Sequence, residues 1–157
     1  MRKVKFFSYN IFLILCALTN LVSAEDVEEI IISDIWISEA PPTVSTMAAY
    51  AKIQNQSHET KVLTSVSSPT FSRIEIHLSK IADGMASMEK QTSLKIPAEN
   101  SVELSPGSYH LMLFNPETSL LAGDKATIIF SFSDGSSKSV QAPIKKRNND
   151  GHDHHHH

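Results

Sequence analysis

The chain has 157 residues, of which 20% are charged, and a formal net charge of −3 with histidine neutral. An acidic balance of this kind, without a basic patch interleaved with aromatics, is unsuited to nucleic acid. The single cysteine is Cys16, so the chain beyond it offers no disulfide, thiolate metal site, CxxC redox pair or cysteine nucleophile. A blue-copper electron-transfer centre, which needs a Cys thiolate beside two His, is excluded with them.

Residues 1–24 read as a secretory signal peptide. Arg2, Lys3 and Lys5 form a basic start, the apolar run Ile11 to Leu18 follows, and Val22-Ser23-Ala24 offers small residues before Glu25. The apolar run is too short to cross a bilayer comfortably. An uncleaved N-terminal anchor is the weaker alternative. Cys16 sits inside the apolar run without small residues before it, which makes a poor lipidation signal. Cleavage after Ala24 removes three basic residues and no acidic ones, which takes the formal charge from −3 to −6. It leaves 133 residues, enough for one domain with its own core. The domain is expected over 25–144, with a polar tail over 145–157.

Short β-branched or alternating segments follow one another. Residues 27–36 form the first expected strand, ended by Glu39-Ala40-Pro41-Pro42. Residues 47–53 and 61–66 follow, separated by turn chemistry at Asn55-Gln56-Ser57-His58. Phe71 to Leu78 alternates, placing Phe71, Arg73, Glu75 and His77 on one face and Ile74, Ile76 and Leu78 on the other. Asp83-Gly84 signals a turn, with Met85 and Met88 just after it. Short strands at 94–96 and 102–104 are followed by a turn at Pro106-Gly107. Residues 108–114 then set His110, Met112 and Phe114 opposite Tyr109, Leu111 and Leu113. A hairpin over 126–142 turns at Asp134-Gly135, and Pro143 with the polar run 145–150 marks the domain end. Close-spaced strands with Pro, Gly, Asn and Asp turns predict an all-β sandwich of one domain.

The chemistry concentrates between His77 and Met112. The order is His77, ten residues, Met88, twenty-one residues, His110, one residue, Met112. Thioether and imidazole together suit soft Cu(I) better than zinc, calcium or magnesium. His110 and Met112 are two apart on a strand and project from one face. Singly, a strand His is usually a hydrogen-bonded or solvent-facing residue, and a lone Met is usually a core filler. Co-occurrence on predicted polar faces favours a shared ion. Spacing alone leaves Met85 open as the ligand in place of Met88. His58 reads as an exposed loop residue, and Met47 and Trp36 as packing residues. A site that must release its ion is expected at a loop-rich end of the sandwich.

These residues resemble the copper-site signature of the PCuAC family of periplasmic copper chaperones. The likeness extends to Arg73-Ile74-Glu75-Ile76-His77, Asp83-Gly84-Met85-Ala86-Ser87-Met88, Ile96-Pro97-Ala98, the run Val102 to Met112 and Leu121-Ala122-Gly123-Asp124. Trp36, Pro41-Pro42 and Ala48-Ala49-Tyr50 resemble the family's N-terminal portion. Some members carry Met directly after the first His; here it is Leu78. The resemblance covers roughly residues 27–143. It implies a cupredoxin-like Greek-key β-sandwich that holds Cu(I) near the surface through His77, Met88, His110 and Met112, choosing Met88 over Met85. It also implies delivery toward the binuclear copper centre of cytochrome c oxidase, to its copper subunit or alongside a Sco-type protein.

The sequence closes on His152, Asp153, His154, His155, His156 and His157. As a native tail this cluster would be a second store preferring Cu(II) through imidazole nitrogen; a purification tag is the alternative. The other classes weighed are a metal-free adaptor or adhesion sandwich, a copper storage or resistance protein, and an enzyme. No nucleophile elbow, metalloprotease motif or paired-carboxylate pattern supports the last. A monomer without stable membrane insertion after cleavage is expected.

Overall fold

The computed structural model of the protein describes residues 29–146 except Pro42 and Asp83. The signal peptide expected over 1–24 and the His cluster of the expected tail lie outside the described residues. Every regular element described is a strand: β1 (Ile30–Ser38), β2 (Thr46–Asn55), β3 (Lys61–Ser67), β4 (Phe71–Ala82), β5 (Met85–Gln91), β6 (Leu94–Ile96), β7 (Asn100–Leu104), β8 (Tyr109–Pro116), β9 (Lys125–Phe132) and β10 (Ser137–Lys145).

The ladder runs β5-β4-β8-β7-β2-β1-β10-β9-β3-β6. It bends at β1 and β10, which share only the parallel pairs Ile37↔Ile144 and Ser38↔Lys145. Two layers result, one from β5 to β1 and one from β10 to β6, in the cupredoxin-like sandwich expected from the sequence. The chain passes repeatedly between layers, so neighbours in the sheets are mostly distant in sequence. One apolar core lies between them, with Ile37, Ile53, Leu111 and Leu113 from the first layer meeting Leu63, Ile96, Ile128 and Phe130 from the second, all 0% exposed. Burying a side chain of this size stabilises the fold by roughly 1.5–3 kcal/mol each.

Alternation explains why these residues point inward, and its breaks are informative. In β1 the register shifts between Ser33 and Trp36, and Asp34 takes φ +52. This β-bulge changes the parity of the strand. Ile30 faces the core before it and Ile37 after it, which leaves Trp36 on the outer face against Tyr50, with ring centroids 4.7 Å apart.

Four expectations change. Phe71 is not on the polar face of β4 but in the core at 4% exposure, at the first residue of the strand where the chain has just crossed from β3 in the other layer. β4 does not end at Leu78 but runs to Ala82, and it pairs from Ile76↔Gln91 to Ala82↔Met85 with a strand over Met85–Gln91, a stretch the sequence leaves unassigned. Pro143 does not end the domain: it lies inside β10 opposite Lys125, the first residue of β9, so its missing N–H falls at the end of the ladder. Asn55 is not a turn residue but the end of β2. It is 1% exposed, its amide donating to the carbonyls of Glu59, Ile96 and Pro97 at 2.7, 3.1 and 3.1 Å.

Candidate metal centre

Three adjacent strands place the four sequence-selected residues on one face. In the β4–β8 ladder His77 lies opposite His110 and Glu75 opposite Met112. In the β4–β5 ladder Ser79 lies opposite Met88. Residues directly opposite share a face, as do residues two apart. His77, His110, Met112 and Met88 therefore all project from the outer face of the layer, away from Ile76, Leu111 and Leu113. Met85 is three residues from Met88, so it projects from the opposite face of β5.

The two imidazoles are neighbours, with ring centroids 5.9 Å apart and planes inclined at 45°. Each ring has one nitrogen committed to an outer partner. His110 donates from Nδ1 to the Ser108 carbonyl at 3.1 Å, so its Nε2 carries the free lone pair. His77 meets the Glu75 carboxylate through Nε2 at 2.9 Å, and its Nδ1 is buried without any hydrogen-bond partner. An orphaned buried ring nitrogen is costly unless something binds it. Metal-ligating histidines characteristically tie their other nitrogen to a carboxylate or a backbone carbonyl, and both arrangements are present here.

Glu75 belongs to the site although the His and Met spacing does not mark it. Its signal was available: it is two before His77 on the same face. Its carboxylate also takes Lys90 at 2.7 Å and Arg73 at 3.1 Å. The Lys90 ammonium first, then His77, hold its pKa down to about 2, so it stays anionic and keeps the His77 ring oriented. Arg73 in turn lies over the Phe114 ring, 4.2 Å from the centroid. Phe114 thus serves the guanidinium.

A surface depression of about 270 Å³ is lined by Met88, His110 and Met112 together with Ser79, Tyr50, Ala48, Pro106 and Gly107. Gly107 takes φ +83, a conformation that disfavours side chains with a Cβ, and lets the β7–β8 turn close over one side. His110 is 5% exposed, whereas Met88 is 63% exposed. The four residues come from strands, and the β7–β8 turn contributes the loop residues Pro106 and Gly107 to the rim. No group of three His, Cys, Asp or Glu suited to a metal ion occurs among the described residues, so a site here depends on its thioethers. A soft donor set of two imidazoles and two thioethers suits Cu(I). His58 is exposed and pairs with Glu99 at 3.2 Å, and Met47 is a core residue at 4% exposure.

Comparison with known proteins agrees with this architecture. The family model described as "Putative lipoprotein LpqE-like" matches residues 30–144. "Putative lipoprotein Lxx21020" of Leifsonia xyli subsp. xyli is 30% identical over 115 residues, spanning 73% of this chain and 68% of that protein. The solved structure "Copper-bound PCuAC domain from PmoF2" superposes with a TM-score of 0.64 at 17% identity, covering 75% of this chain and 93% of that one. The solution structure of "CuI-DR1885" from Deinococcus radiodurans gives a TM-score of 0.60 at 26% identity, covering 73% of this chain and 76% of that one.

Proposed function

Since the chain belongs to the LpqE-like, PCuAC-type family, we propose that it is a copper chaperone of the periplasm, exported through residues 1–24. It binds Cu(I) through His77 Nδ1, His110 Nε2 and the thioethers of Met88 and Met112. It passes the ion toward the binuclear copper centre of cytochrome c oxidase, directly to the copper subunit or through a Sco-type protein. It is a carrier, with copper as cargo, and catalyses no reaction of its own.

The observation that carries this reading is the pair of half-committed imidazoles. His77 and His110 each have one nitrogen fixed by an acceptor and one left for a ligand, and the buried Nδ1 of His77 has no partner. Two thioethers on the same face supply neutral soft sulfur, which favours Cu(I) and gives little to Cu(II). The absence of cysteine after Cys16 suits an oxidising compartment, because a thioether cannot be lost to a disulfide, although it oxidises to sulfoxide. The relatives' description as lipoproteins supports export.

The tail residues His152, His154, His155, His156 and His157 form a separate, Cu(II)-preferring site in this reading. An anaerobic Cu(I) titration of the protein against a competing chelator tests both parts. One tightly held Cu(I) per chain is expected, and it should survive truncation after Asn149, which removes only Cu(II) binding. A chain that takes up no Cu(I) would overturn the copper reading.

A further inference from the structure

β5 ends the ladder and pairs with β4 alone among the described residues. Its residues Met85 to Lys90 are all exposed. The opposite terminal strand, β6, has only three residues. Natural sheets protect a long edge with proline, a bulge, charge or brevity; β5 carries charge only in its second half, at Glu89 and Lys90, which pair with Lys80 and Glu75, and Met85 to Met88 have none of these devices.

The direction of the edge groups follows from one hydrogen bond. Within a strand, the N–H and C=O of successive residues alternate between the two sides. The Ser79 N–H donates to the Ser108 carbonyl at 3.1 Å, toward β8. Met88, directly opposite Ser79, therefore sits at a non-hydrogen-bonded position of the β4–β5 ladder and turns its N–H and C=O outward. By alternation Ala86 and Lys90 do the same, while Ser87 and Glu89 bond inward to β4. The hairpin is also apolar at its surface: Ile81 is 82%, Met85 71% and Met88 63% exposed. Ile81 pairs with Ala86 and so shares the face of the metal centre. The centre exposes its β5 thioether far more than its imidazoles: Met88 is 63% exposed, His110 5% and the His77 side chain 13%.

We propose that β5 is the docking edge for a copper-accepting protein. An extended segment of that partner hydrogen-bonds to Ala86, Met88 and Lys90 and sets a thiolate, thioether or imidazole side chain opposite Met88. This inference rests on the copper reading above. Edge pairing would place the partner's side chain about 5.5 Å from Met88 on the same face. The incoming donor then replaces the Met88 thioether first, while His77, His110 and Met112 still hold the ion. The exchange is of one lone pair for another: Cu(I) keeps its oxidation state, and an incoming thiol releases its proton to solvent. Ile81 covers the flank of the added segment and keeps water from the exchanging ion.

The test uses the full chain loaded with Cu(I). The acceptors are the apo soluble copper-binding domains of the host oxidase subunit and of a Sco-type protein. Ala86→Pro removes one outward N–H and leaves the β4–β5 hydrogen bonds intact; Ile81→Asp is the second variant, with an unaltered backbone. Cu(I) affinity, measured first by chelator competition, should match that of the unmodified chain in both. Transfer followed by stopped flow should be at least tenfold slower in both. Adding an acceptor should protect the amides of Ala86, Met88 and Lys90 from hydrogen exchange, leaving those of Ser87 and Glu89 as they were. Transfer at the unmodified rate in both variants, no transfer to either acceptor, or no new protection would overturn the proposal while leaving Cu(I) binding intact. A dimer in light scattering that Ala86→Pro dissociates would also overturn it, by giving the edge to a second copy. A chain that binds no Cu(I) in the first measurement would sink the copper reading itself.

Discussion

Met88 and Met85 are three residues apart on one exposed strand, and that odd spacing turns their thioethers to opposite faces. Met88→Leu and Met112→Leu keep volume and apolarity, so the fold should lose less than about 1.5 kcal/mol. Cu(I) affinity should fall by at least tenfold in each, with Met85→Leu silent, as read by competitive Cu(I) titration. Loss on Met85→Leu alone would reassign the sulfur ligand. Glu75→Gln is the second case. The amide can still accept from His77 but no longer favours the Nε2–H tautomer as a carboxylate does. Loss of such an outer partner typically costs about 10–100-fold in metal affinity, and nitrogen-15 spectra of His77 should show the tautomer mixture. His77, His110 and Met112 could be picked from the sequence because each lies on a well-patterned strand. The choice between the two Met residues could not. Met-Ala-Ser-Met-Glu-Lys-Gln is short of the β-branched and aromatic residues that mark strands, so no face could be assigned to it without the resemblance.

Among the strands, the ones that misled are those whose partners override local pattern. β1 alternates poorly because its bulge at Asp34 exchanges the two faces midway, and nothing in its composition announces this. β5 exists because β4 templates it over seven residue pairs. Asn55 looks like turn chemistry because turns are where asparagine is common. Here, besides its three donated bonds, its Oδ1 accepts from the Ser57 amide at 3.0 Å and the Ser57 hydroxyl at 2.7 Å. It thereby ties the β2–β3 loop to the β6–β7 turn. Asn55→Ala leaves buried carbonyls unsatisfied and should cost about 3 kcal/mol, seen as a lower urea midpoint with Cu(I) affinity little changed. The strands at 94–96 and 126–132 were plain in the sequence, since both faces of their alternation are consistent with burial against one core.

Among the described residues, two charge clusters give the stability a pH profile. At one end Lys61 bridges Asp134 at 2.8 Å and Glu29 at 2.6 Å. These contacts raise the Lys61 pKa, and Lys61 first, then Ser136, lowers that of Asp134. At the metal face Glu75 is held down to about 2. A carboxylate with a lowered folded pKa contributes stability that is complete above its unfolded value of ~4 and is lost as pH falls toward the folded value. A lysine with a raised pKa contributes below its unfolded value of ~10.4 and loses that contribution above it. The denaturant midpoint of the apo protein should therefore be flat between about pH 5 and 9 with respect to these groups. It should decline below about pH 4.5. Asp134→Asn and Glu75→Gln should each remove part of the acid decline, and additively, because the two clusters share no partner.

The tilted ring contact of Trp36 with Tyr50 gives the protein an optical reporter of its own. Trp36 is the only tryptophan in the chain, its ring lies 4.7 Å from that of Tyr50, and Tyr50 lines the depression that also holds Met88, His110 and Met112. An ion settling there changes the surroundings of the pair from the Tyr50 side. Indole emission should shift with added Cu(I) and level off at one equivalent, without label or chelator dye. Trp36→Phe should bind copper as before and go dark, and an emission trace that continues past one equivalent would mean that the indole is sensing a different site.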